Sequence, residues 1–262
     1  MGYDVTFHPI SEAEIHTWYF NALNDEAEAR SMAAAAGMDE FYTGKYLDTL
    51  RAGREADSSI PFDNTHGYFI AVVQGFFRRY HYIRGGALSF YDDAITPYTK
   101  PWSDIVPAAF STAKSHNRIV ENYMSGVYIP AANIPRLLQD LTGPSALSEM
   151  IPDNHPGEHL DILLAALQEA QELGAGLLEA TEVVEPSPFD LNNSISVSNL
   201  FHCDTAGPLL YQKVALDQIA QLEAQQGLPP GSIDPSAIQR RVISHEPPPK
   251  KRGFFSRLFG KD

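Results

Sequence analysis

The sequence predicts an α+β fold: a helix-rich single domain with a small mixed β-sheet. Three observations carry this. Apolar residues recur at three- and four-residue steps over most of the chain, the period of a buried helical face. Short β-prone runs stand between these stretches, bounded by Gly, Pro and Asp. With 44% hydrophobic residues in a chain of 262, there is enough apolar material for a sizeable core.

Tyr3 to Phe7 alternates and reads as a first strand ending at Pro9. Ser11 and Glu14 then form an S-x-x-E capping box, which opens a helix carrying Ile15, Trp18, Tyr19 and Leu23 on one side. Asp25 to Ala36 continues as an alanine-rich helix stopped by Gly37, and Met38 to Arg51 is a third helical stretch. Glu55 to Thr65 reads as a loop. Phe69, Ile70, Val73, Phe76, Phe77 and Tyr80 keep helical spacing, although their β-branched and aromatic content also suits a strand pair. Ala87 to Tyr91 is predicted as a strand closed by Asp92 and Asp93, and three prolines make Thr96 to Pro107 an irregular excursion.

Gly126 to Pro130 is the next strand, followed by a helix over Ala132 to Leu141 with Pro135 early in its first turn. A Gly/Pro-rich gap leads to an amphipathic helix over Gly157 to Gly174, with Leu160, Leu163, Leu164, Leu167 and Ala170 facing inward. Leu177 to Val184 and Ile195 to Phe201 read as strands, and Leu209 to Gln226 as a last long helix. No repeat of fixed period occurs. The packed domain is expected over residues 1–244, with a Pro-rich spacer and a basic amphipathic tail over 245–262.

Charge is unevenly spread. The chain carries −14 overall; Lys250, Lys251, Arg252, Arg257 and Lys261 against Asp262 give the last thirteen residues +4, so the rest carries −18. Leu137 to Gln212 contains no Lys or Arg but twelve acids, from Asp140 to Asp204. This balance argues against nucleic-acid binding, which needs Lys and Arg on phosphates. It favours a negative surface that steers a cationic partner. A single cysteine, Cys203, excludes a disulfide framework and a cysteine-rich zinc module. The first 24 residues hold three acids and no Lys or Arg, unlike an export signal, so a cytoplasmic location is expected.

Reaction machinery is sparse. His155 and His159 have the i, i+4 spacing of a metal pair, but Pro156 and Gly157 separate them and place the helix start after His155. His202, Cys203 and Asp204 are consecutive, whereas catalytic groups meet through folding, so Cys203 reads as a small buried residue. His8 and His16 flank the first strand and helix and would need to meet in space to act together. No phosphate-binding, dinucleotide or nucleophile-elbow motif is present. No catalytic residue, metal site or cofactor is assigned. Gly253 to Lys261 gathers Phe254, Phe255, Leu258 and Phe259 on one helical face, with Arg257 and Lys261 on the other. Such a segment suits weak contact with a lipid surface or with the acidic body itself, without stable membrane insertion.

The opening Met1-Gly-Tyr-Asp-Val-Thr-Phe-His-Pro-Ile-Ser11 resembles a group of bacterial cytosolic proteins encoded beside toxin genes. Gly126-Val-Tyr-Ile-Pro130 with its following helix, and Leu173-Gly-Ala-Gly-Leu-Leu-Glu-Ala-Thr-Glu-Val-Val184, are similar to segments of the same group. The resemblance covers about a quarter of the chain in short motifs and brings no catalytic residue. It implies an immunity protein of a contact-dependent toxin system of the type VI secretion kind, with a nuclease toxin. Residues and resemblance together lead to one expectation: a non-enzymatic cytosolic inhibitor that captures a cognate basic toxin. Tyr91, Asp92 and Asp93 are the expected contacts, as exposed acids beside an aromatic at a turn. Two other classes remain open, a metal-dependent hydrolase built on the histidines and an adaptor acting through the tail.

Overall fold

A computed structural model describes residues 3–55, 66–110 and 118–235. The predicted α+β single domain is what it shows, with helices covering both faces of a small sheet. The sheet has four strands in the order β2-β1-β4-β3: β1 (Asp4–Ile10), β2 (His81–Arg84), β3 (Ser125–Ile129) and β4 (Gly176–Thr181). Every pairing in it is antiparallel, so the sheet is not mixed as the sequence suggested. The two central strands are buried along their whole length, because helices cover both sides.

Alternate strand residues feed two cores. Ile10, Tyr128, Leu178 and Ala180 face one core. It is closed by the helices α1 (Glu12–Ile15), α2 (Glu26–Ala35), α3 (Glu40–Arg54) and α4 (Tyr68–Phe77). Val5, Phe7, Val127, Ile129 and Leu177 face the other. Over it lie a 3₁₀ segment (Leu88–Ala94), α5 (Ile134–Thr142), α6 (Ala146–Asn154) and α7 (Glu158–Glu172). A smaller cluster of Tyr80, Tyr82, Val184 and Cys203 joins the edge strand β2 to the ribbon of β5 (Val184–Glu185) and β6 (Ile195–Ser196). The last helix, α8 (Ala206–Gln226), approaches β2 so closely at Gly207 that a Cβ there would overlap the Tyr82 carbonyl oxygen.

Local chemistry sets the boundaries. The Ser11 hydroxyl accepts from the Glu14 N–H at 3.2 Å while the Glu14 carboxylate accepts from the Ser11 N–H at 2.8 Å, the reciprocal box the sequence predicts. The helix it opens lasts one turn before widening into a π-type turn over His16–Asn21 and a 3₁₀ turn over Ala22–Asn24. Three expectations change. Ala87 to Tyr91 is not a strand but the start of the 3₁₀ segment, since Leu88 and Tyr91, three apart, must both enter the core. The supposed gap before α7 holds α6, opened by a second box between Ser145 and Ser148. Ile195 to Phe201 is extended for only two residues before turning. The domain boundary near residue 244 and the 245–262 tail lie outside the described residues.

Candidate functional site

The 3₁₀ segment is fixed at its start by Glu179, a fully buried carboxylate of β4. Glu179 accepts from the Ser89 N–H at 3.2 Å and from the Val127 N–H at 3.2 Å, and the absent side chain of Gly126 makes room for it. Burial raises its pKa to about 7, against these backbone donors, which lower it. Tyr91 then turns inward. Its ring is fully buried and stacked on His155 with centroids 5.5 Å apart, and its hydroxyl lies 2.9 Å from His155 Nδ1. Tyr91 is therefore no exposed interface anchor, because the core needs its ring.

Asp92 and Asp93 are exposed. Asp92 has a positive φ of 49°, which swings its carboxylate outward to Arg118 Nη1 at 2.6 Å. Asp93 forms no ion pair among the described residues. The Asn154 side chain reaches the Phe90 carbonyl at 3.4 Å, so the segment abuts the end of α6. α6 and α7 present Glu149, Asp153, Asp161 and Glu172 to solvent, again without ion pairs among the described residues. Other acids of this layer are compensated: Asp140 by Arg136 at 3.7 Å, Glu158 by Lys213 at 2.5 Å, and Glu169 by Arg79 at 2.9 Å, with His81 Nε2 also 2.7 Å from the Glu169 carboxylate. The five carboxylates of Asp93, Glu149, Asp153, Asp161 and Glu172, on the 3₁₀ segment, α6 and α7, are left exposed and uncompensated among the described residues.

The other sequence candidates do not assemble. His155 is buried, with its pKa lowered to about 3 by burial, while His159 is partly exposed and its Nδ1 lies 3.0 Å from the Pro156 carbonyl. His8 sits between Gln74 Oε1 at 2.6 Å and Thr6 Oγ1 at 2.8 Å. Gln74 donates its amide protons to the Pro9 and Arg79 carbonyls, so its oxygen accepts and His8 carries its proton on Nδ1. Burial lowers the His8 pKa to about 3 as well, and the ring stays neutral. His16 instead packs its ring against Phe20 at 5.7 Å. Cys203 is buried and its thiol is pushed up to about 12, which removes the thiolate a nucleophile needs. The neighbouring Asp204 caps α8 through the Ala206 N–H at 3.0 Å, and His202 Nδ1 lies 2.9 Å from the Gly75 carbonyl.

Sequence reasoning missed one cluster. Asp4, Glu182 and Glu185 bring carboxylate oxygens within 4.8 Å of one another, near enough to share a cation. Asp4 already accepts from the Tyr82 hydroxyl at 2.7 Å and pairs with Arg84 at 2.5 Å, so a guanidinium supplies positive charge there. Glu182, at a positive φ of 59°, has its pKa raised to about 8, by burial first and by Asp4 second. Burial and the neighbouring carboxylate both favour its protonated form. Asp4 and Glu182 are 178 positions apart, and no local pattern links them.

No protein-family model matches this chain, and comparison with curated proteins and with solved structures likewise finds no match. No helix among the described residues is long and apolar enough to cross a membrane.

Proposed function

We propose that the chain is a non-enzymatic cytosolic inhibitor that captures a basic protein through the α6–α7 face, in the manner of an immunity protein for a secreted nuclease toxin. The observation that carries this reading is the set of exposed, uncompensated carboxylates at Asp93, Glu149, Asp153, Asp161 and Glu172. A toxin that works on nucleic acid must present Lys and Arg to hold phosphates. Exposed carboxylates without cationic partners are complementary to that surface and compete for it. Attraction between the two also raises the association rate above an unsteered value of about 10⁵–10⁶ M⁻¹s⁻¹. A fast capture matters for an inhibitor that meets its target inside the cell.

Tyr91 is excluded from the contact set by its burial, which leaves Asp92 and Asp93 as the edge of the face nearest α6. Co-expression with the product of the adjacent open reading frame tests the reading. The pair is expected to co-purify, and Glu149→Lys with Asp153→Lys is expected to weaken capture at least tenfold without changing the fold. Capture unaffected by both reversals, or an adjacent product that does not bind, removes the face from this role.

A further inference from the structure

The helical layer opposite α6 and α7 holds a groove of about 500 Å³. It is lined by Thr49 and Ala52 of α3, Phe69 and Val72 of α4, and Val197 just after β6. Two charged side chains, Lys45 and Asp48, complete the charged part of the lining, and they differ in what already neutralises them. Asp48 Oδ1 pairs with Arg51 Nη1 at 2.6 Å. Lys45 pairs with no carboxylate among the described residues. Its Nζ donates to the Ser196 carbonyl at 2.9 Å and to the Ser198 carbonyl at 3.3 Å, and stands 5.7 Å from the centre of the Phe41 ring. An ammonium has three N–H donors, so one is left with no oxygen acceptor among the described residues. Partial burial also lowers the Lys45 pKa, so its charge is less well hydrated than that of a free surface lysine. The chain carries −14 overall, yet the unbalanced charge lining this groove is positive.

We propose that this groove binds a small amphipathic carboxylate, with its anionic head on Lys45 Nζ and its apolar body against Phe69, Val72 and Val197. Charge selects the head group. A cationic ligand would meet an unpaired lysine and an aspartate already held by a guanidinium. A neutral apolar ligand would leave the third Lys45 N–H unused. A carboxylate supplies the missing acceptor and makes a charge-assisted hydrogen bond, the stronger kind. The anchor is also preformed. Ser198, whose carbonyl holds Lys45, donates its own hydroxyl to the Val72 carbonyl at 2.7 Å, which ties the segment after β6 to α4. The groove is of the size that takes a small molecule, since such pockets run from roughly 300 to 1,000 Å³ and are mostly apolar with a few fixed polar groups. None of its lining residues belongs to α6 or α7, so the site is separate from capture of a basic protein.

Titration of the full-length chain with octanoate and, separately, with 1-octanol tests this, because the two probes share a body and differ in the head. Followed by NMR, octanoate is expected to shift the signals of Lys45, Val72 and Val197 and to bind at least tenfold more tightly than octanol. Lys45→Gln is expected to weaken octanoate at least tenfold while leaving octanol within twofold, and Lys45→Arg, which keeps the charge, to hold octanoate within threefold. Should Lys45→Gln fail to fold, Ala52→Trp narrows the groove from an exposed position and leaves Lys45 in place. It is expected to weaken both probes at least fivefold. Octanoate that fails to bind, shifts signals elsewhere, binds no better than octanol, or is indifferent to these substitutions would overturn the proposal.

Discussion

Buried ionisable side chains in this protein pull its stability in two directions as pH changes. Glu179 and Glu182 have folded-state pKa values raised to about 7 and about 8 from an ordinary 4.5. A raised carboxyl binds its proton more tightly in the fold, so its contribution is complete below about 4.5 and is lost as pH climbs through 7 and 8. His8 and His155 are lowered to about 3 from 6.5, so their contribution is complete above 6.5 and declines as pH falls toward 3. The opposing slopes overlap between about pH 4.5 and 6.5, where thermal stability is expected to be broad and greatest. Melting of Glu182→Gln across pH 5 to 9 checks the alkaline side: the variant should lose most of the decline above 6.5, and an unchanged profile contradicts the assignment. Tyr91→Phe removes the hydroxyl beside His155 and should cost about 1 kcal/mol of stability. Because the ring is enclosed, capture of a basic partner should not change.

Among the secondary elements, the tightest constraint is the crossing of α8 over β2. Gly207→Ala places a methyl where the Tyr82 carbonyl stands, so either α8 lifts away or β2 shifts. A loss of about 3 kcal/mol is expected, read as a drop in the denaturant midpoint. Elements with local signals were legible in the sequence: the Ser11–Glu14 box, the leucine spacing of α7 and the Gly-Leu-Leu run of β4 all appear where expected. Elements decided by distant contacts were not. Ala87 to Tyr91 has strand-like residues, yet Glu179 from β4 anchors its backbone N–H groups and Tyr91 stacks on a histidine sixty-four residues away. α6 was hidden by Gly143-Pro144 before it and Pro152 in its last turn, which locally argue for a loop. Glu182 gave no cue, because its raised proton affinity comes first from burial in the fold and second from Asp4 at the far end of the chain.

At the scale of the whole molecule, charge is unevenly spread along the chain. The acids of α6 and α7 fall in a stretch of the sequence with no Lys or Arg, from residue 137 to 212. This basic-free stretch was visible in the sequence. Which acids stay uncompensated was not, since Arg79, Arg136 and Lys213 each neutralise one acid through the fold. Steering by the remaining carboxylates is a long-range effect and is screened over about 8–10 Å at physiological salt. The association rate constant with the product of the adjacent open reading frame, followed by stopped flow from 50 to 500 mM salt, tests the central claim most directly. A steep fall with salt, made shallower by Glu149→Lys with Asp153→Lys, is the predicted result; a rate indifferent to both salt and reversal would contradict it.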